Sequence, residues 1–170
     1  MKNILLALLV LLPLQTFAAG YTRLGFMYQS EKVGSSGSTN DVTRTLLDFG
    51  AGKVWPNGFN LGFLYGSESN NYASGAQQRT GIGPTVGWMK NKSQGFYIMG
   101  TYFVSLTLTG GYKGKGSQID LGYKFALDKV SIGPQFSQKT FEYNELNGTD
   151  LTNPYQDSRI DPYFTVWIDF

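Results

Sequence analysis

Tyr163-Phe164-Thr165-Val166-Trp167-Ile168-Asp169-Phe170 alternates without a break. Phe164, Val166, Ile168 and Phe170 fall on one side, and Tyr163, Thr165, Trp167 and Asp169 on the other. A period of two is the mark of a β-strand. One face is wholly apolar, while the other mixes rings with a hydroxyl and a carboxylate. The first suits an apolar surrounding and the second a polar filling.

The same period runs back through the chain. Tyr21 to Tyr28, Arg44 to Gly52, Phe59 to Gly66, Gly81 to Trp88, Gln118 to Leu127 and Val130 to Ser137 each set large apolar residues against glycine, hydroxyl or charged ones. Phe96 to Leu108 is longer and less cleanly patterned; it is assigned Phe96, Ile98, Tyr102, Val104, Leu106 and Leu108 outward and Tyr97, Met99, Thr101, Phe103, Ser105 and Thr107 inward. With the terminal segment this makes eight strands. Short connections at 56–58, 91–95 and 128–129 alternate with longer polar ones at 30–42, 67–79, 109–117 and 139–158. Three short turns on one side and four longer loops on the other describe an all-β, antiparallel, up-and-down barrel of eight strands.

Ahead of the strands, Lys2, the apolar run Ile4 to Leu14 and the small-residue site Thr16-Phe17-Ala18 read as a signal peptide over 1–18, leaving 19–170 as one barrel domain. The apolar run is too short to cross a bilayer. Lys plus Arg number 14 and Asp plus Glu 12, so charge gives no reason to expect nucleic acid. Cys and His are both absent, which removes disulfides, thiol chemistry, imidazole bases and His or Cys metal sites. No catalytic residue, cofactor or metal is expected.

A soluble barrel such as a lipocalin points its large apolar residues inward. Here the face opposite Leu, Phe, Ile, Val, Tyr and Trp carries Gly25, Gly50, Gly52, Gly62, Gly66, Gly81, Gly83, Gly87, Gly122 and Gly133. Such a face is a poor core, whereas the opposite face suits hydrocarbon. Arg23, Arg44, Asp48, Asp120, Lys124, Arg159, Asp161 and Asp169 all share the glycine-bearing face, four basic and four acidic. They read as a polar network filling the lumen, since each would be costly against lipid. Tyr21, Tyr28, Trp55, Tyr65, Trp88, Phe96 and Tyr102 read as interfacial aromatics.

The terminal alternation ending in Phe170 resembles the C-terminal assembly signal of bacterial outer-membrane β-barrels, carried here by Phe164, Val166, Ile168 and Phe170. The mature chain as a whole resembles the small barrels of the OmpA transmembrane-domain, OmpX and OmpW-like class. That resemblance implies insertion in the bacterial outer membrane through the barrel-assembly machinery, with three periplasmic turns and four outer loops. The implied partners are outer-membrane lipid and lipopolysaccharide, and the implied state is a monomer. Lipid-modifying enzymes of this architecture use a catalytic His, which this chain lacks.

Other motifs yield to plainer readings. Gly110 to Ser117 lacks the spacing of a phosphate-binding loop and reads as a hairpin, and Asp41, Glu142, Glu145, Asp150 and Asp157 read as solvated loop charges. The functional expectation is a non-enzymatic, porin-like barrel with a plugged polar lumen and a structural or surface-interaction role. One alternative is a narrow channel or a conduit for small or apolar solutes, with Pro84 and Pro134 as the places to look for a break in the wall. A secreted lipocalin-like binder is another.

Overall fold

The computed structural model describes residues 20–35, 38–72 and 75–170; the leader at 1–18 lies outside them. Eight strands follow in chain order: β1 (Gly20–Ser35), β2 (Ser38–Val54), β3 (Phe59–Tyr72), β4 (Gly75–Met89), β5 (Gly95–Leu108), β6 (Tyr112–Leu127), β7 (Val130–Leu146) and β8 (Thr149–Asp169). Each pairs antiparallel with its sequence neighbour, and β8 returns to β1 to close the barrel. Followed through ladder partners from Tyr21 by Gly52, Gly62, Thr85, Thr101, Gln118 and Lys139, the wall is re-entered at Arg159. That is ten residues from Asp169, the partner Tyr21 has across the closing seam. An offset of this size requires strongly tilted strands, so side chains distant in register meet inside.

Leu24, Phe26, Leu61, Phe63, Ile82, Val86, Ile98, Leu121, Phe125, Phe136, Phe164 and Ile168 form an exposed apolar belt round the barrel. The short connections are tight for identifiable reasons. Asn57 Oδ1 accepts from the Phe59 amide at 3.1 Å, and Trp88 Nε1 donates to the Asn57 carbonyl at 3.1 Å. Gly58 has a φ of +86°, and a Cβ there would lie 2.2 Å from the Met89 carbonyl oxygen, so no other residue fits this turn.

Two expectations change. The long polar stretches are not open loops: the ladders run on through them, and the connections shrink to 109–111 between β5 and β6 and to 147–148 between β7 and β8. Beyond the belt, polar side chains suit a strand in water on both faces, so composition turns polar while the ladder continues. Asn147 and Gly148 both have positive φ, 51° and 85°, the geometry of a two-residue hairpin turn.

The second change is in β5. Its register slips against β4 between Ile82 and Thr85 and against β6 between Phe103 and Leu106, which inserts an extra residue near Val104 and Ser105. A bulge reverses the facing of everything after it. Leu106 and Leu108 therefore turn inward and are buried, at 2% and 5% exposed, while Ser105 and Thr107 face out.

Candidate functional site in the charged lumen

Side chains stack inside the barrel in alternating apolar and charged layers. At the short-turn end Lys124 Nζ lies 3.2 Å from Asp169 Oδ1 and 4.5 Å from the centre of the Trp167 ring. The 90–94 connection folds beneath them: Lys124 donates to the Lys92 carbonyl, and Ser131 Oγ donates to the Ser93 carbonyl at 2.7 Å. Above sits an apolar layer of Tyr21, Val54, Met89, Tyr97, Met99 and Trp167.

The middle layer is built on Arg23. Its Nη1 donates to Asp120 Oδ2 at 2.8 Å and to Gln135 Oε1 at 3.1 Å. Gln118 Nε2 bridges the two carboxylates, donating to Asp120 at 2.8 Å and to Asp48 at 2.9 Å. Lys139 Nζ completes the set, 3.6 Å from Asp48 and donating to the Tyr163 hydroxyl. A second apolar layer, Leu64, Phe103, Leu106, Leu108, Phe141 and Tyr143, covers it.

At the far end three arginines interlock with three acids. Arg44 reaches Asp161 at 3.0 Å and Glu68 at 3.7 Å. Arg79 reaches Glu68 at 2.9 Å and Asp157 at 2.5 Å. Arg159 binds Asp157 at 3.1 Å, Asp161 at 3.0 Å, and Glu68. The layers thus hold one cation and one anion, two and two, and three and three. Charges removed from water are tolerable only when paired. Each layer balances its charges within itself, although in the middle layer Arg23 bonds through Nη1 alone, and its Nε and Nη2, like Gln118 Oε1, are buried without a hydrogen-bond partner. Little space remains: the cavity beside Gly66, Glu68, Arg79, Phe103 and Phe141 measures about 10 Å³, room for about one water molecule.

Inner-wall glycines make these layers possible. A Cβ on Gly122 would lie 2.3 Å from the Tyr97 hydroxyl oxygen, one on Gly81 2.9 Å from the Phe103 ring, and one on Gly25 3.2 Å from the Tyr163 ring. Each glycine gives up its volume to an aromatic residue of the neighbouring strand, whose ring lies over it on the inner wall.

Period-two reading places Arg23, Arg44, Asp48, Asp120, Lys124, Arg159, Asp161 and Asp169 on the inner face, and the structure divides them among the three layers. Gln118 and Gln135, inward by the same parity, join the middle layer; the reading misses Glu68, Arg79, Lys139 and Asp157. Most of these lie where alternation passes from the belt into polar sequence, and extending the same period would have found them. Tyr28, Trp55, Tyr65, Trp88, Phe96 and Tyr102 face outward and are exposed, as do Phe164 and Ile168 of the terminal strand. Val166 and Phe170 are half-buried. Tyr21 is a correction: it shares Arg23's parity, so it points inward and packs on Trp167 with ring centres 5.2 Å apart, not at an interface. Among the described residues, no group of three or more His, Cys, Asp or Glu could hold a metal ion.

No protein-family model matches the chain, and neither does any curated protein. Solved structures similar to it include outer-membrane expressed OmpT of Vibrio cholerae, at 12% identity and a TM-score of 0.40 over 91% of this chain and 53% of that one. The chain thus spans about half the length of that structure. The outer membrane protein OprG from Pseudomonas aeruginosa is similar at 11% identity and a TM-score of 0.42, over 89% of this chain and 95% of that one.

Proposed function

We propose that this chain is a non-enzymatic outer-membrane β-barrel with a structural or surface-interaction role and a lumen closed to ions. The observation that carries this reading is the charge balance of the three lumen layers. A neutral, tightly paired layer gives an entering ion no attraction to offset the loss of its hydration. Each lumen carboxylate is held by Arg or Lys, which leaves none free to act as a base or nucleophile. The exposed apolar belt suits the hydrocarbon of the membrane, lipopolysaccharide would surround its outer half, and the outward residues of β8 would be offered to the barrel-assembly machinery. The reading takes the chain as a monomer whose polar strand extensions meet the exterior. Cell fractionation with heat-modifiable gel migration tests it. The protein should require detergent and migrate differently when unheated; release in soluble form would favour a secreted lipocalin-like binder instead.

One observation favours a second reading, a conduit for small apolar solutes. Pairing between β1 and β8 stops at Phe26↔Phe164, although Tyr28 and Ile160, at 60% and 67% exposed, carry the apolar surface further. Pro162, two residues beyond the last pair, has no N–H to extend the ladder. The wall is also irregular at Pro84, beside the β4–β5 slip, and at Pro134, which has no partner on β6. The β1–β8 seam is the longer interruption. A spin label at Gln29→Cys, just above Met27 on the inward side of β1, tests this route. Faster relaxation by lipid-soluble oxygen than by an aqueous nickel chelate would support it, and the reverse would exclude it.

A further inference from the structure

The outside of the short-turn end carries a feature that the closed lumen does not explain. Lys90, Asn91, Gln94, Gly95, Phe96 and Tyr123 line an open cavity of about 360 Å³. Its floor is aromatic: the Phe96 and Tyr123 rings meet edge to face with centres 4.8 Å apart. Its rim is polar. Lys90 is exposed and forms no ion pair among the described residues, and its stem lies over Gly95, where a Cβ would sit 3.5 Å from the Lys90 Cβ. Asn91 uses its side-chain oxygen to accept from the Ser93 amide at 3.1 Å, leaving its NH2 group to donate.

An apolar furrow climbs from this cavity. On the outward face of β5, Phe96 and Ile98 are followed by Gly100, then Tyr102. A Cβ added at Gly100 would meet nothing within 4 Å, so the wall is notched there, between its ladder partners Val86 on β4 and Ile119 on β6. The notch lies four residues, ~13 Å, along the strand from Phe96. The connections at this end carry Lys90, Lys92 and Lys129 against Asp128, with Lys53 close by at the end of β2.

We propose that this cavity and furrow form a binding site for one anionic glycerophospholipid of the adjoining membrane leaflet. Lys90 binds its phosphate, Asn91 and Gln94 donate to its headgroup oxygens, and one acyl chain runs past Phe96 and Ile98 into the notch at Gly100. Charge selects the occupant, because an unpaired lysine above an aromatic floor at a membrane boundary favours an anion that carries a hydrocarbon tail. The assignment rests on the membrane reading above.

The test is native mass spectrometry of protein reconstituted in vesicles of equal phosphatidylglycerol and phosphatidylcholine, then extracted in mild detergent. Wild type should retain one phosphatidylglycerol in preference to phosphatidylcholine. Lys90→Gln should reduce that retention about fivefold, the weight of one lysine at an anionic surface. Gly100→Leu should reduce it while preserving insertion, whereas Lys53→Gln should leave it unchanged. Excess inorganic phosphate should not displace the lipid; displacement would make the site a free-anion site and overturn the proposal. Equal retention of both lipids, or no effect of Lys90→Gln in protein that inserts and shows heat-modifiable migration, would also overturn it while leaving the membrane reading intact. Failure to insert at all would overturn both.

Discussion

Arg23 Nη1 and Asp120 Oδ2 meet at 2.8 Å across the lumen, from strands 97 residues apart in sequence, with both side chains at most 1% exposed. Removing one partner strands a buried charge. Asp120→Ala should therefore cost about 3–5 kcal/mol in urea unfolding from lipid vesicles. The paired replacement Arg23→Met with Asp120→Leu should cost much less, because neither charge remains. A single variant as stable as wild type would show that the pair is solvated and contributes no closure.

The Gly122–Tyr97 fit predicts a steric penalty. Gly122→Val must displace the Tyr97 ring and should lower stability by about 1–3 kcal/mol, read as a lower temperature for the heat-modifiable shift. Adding Tyr97→Ala should restore part of the loss. If the single variant is unaffected, the ring is not held against that wall.

The far-end layer should respond to acid. On β3 and β4 the exposed apolar belt ends at the Tyr65↔Ile82 pair, so Glu68 lies beyond it. Burial alone would raise the Glu68 carboxyl, but Arg159 and Arg79 beside it, helped by a hydrogen bond from Asn70, hold it below the ordinary value of 4.5. A lowered folded value means that ionised Glu68 stabilises the fold fully above the ordinary value. This contribution disappears as pH falls through the lower, folded one. The stability gap between wild type and Glu68→Gln should be largest near neutrality and shrink in acid. A gap independent of pH would remove Glu68 from the layer's charge balance.

The β1–β8 seam predicts uneven hydrogen exchange. Above Phe26↔Phe164, β1 and β8 each have one partner strand, β2 and β7 respectively. Amides of 149–162 that point away from β7 should exchange faster than those in the continuous β2–β3 ladder. Uniform protection along β8 would mean that the seam is sealed.

Barrel architecture was legible because every strand keeps a run of alternation long enough to read, and Phe164, Val166, Ile168 and Phe170 show it without interruption. The lumen charges within the belt, from Arg23 to Asp169, were legible by the same parity. The facing of Leu106 and Leu108 was not, because a one-residue bulge leaves no mark in composition and reverses all that follows. Arg79 and Glu68 were lost because polar strands beyond the belt resemble loops when composition is read before period. Asn147-Gly148 carried a plain hairpin signal that would have shortened the last connection. Tyr21 was misplaced by its position at a segment end, although its parity with Arg23 already put it inside.

Planar-bilayer recording tests lumen closure most directly. Wild-type protein, with insertion verified by heat-modifiable migration, should show no sustained conductance steps, and Asp48→Asn and Asp120→Asn should remain equally silent if these charges serve packing and not gating. Stable open-channel steps from the wild-type protein would contradict the account, because three neutral, filled layers leave an ion no path.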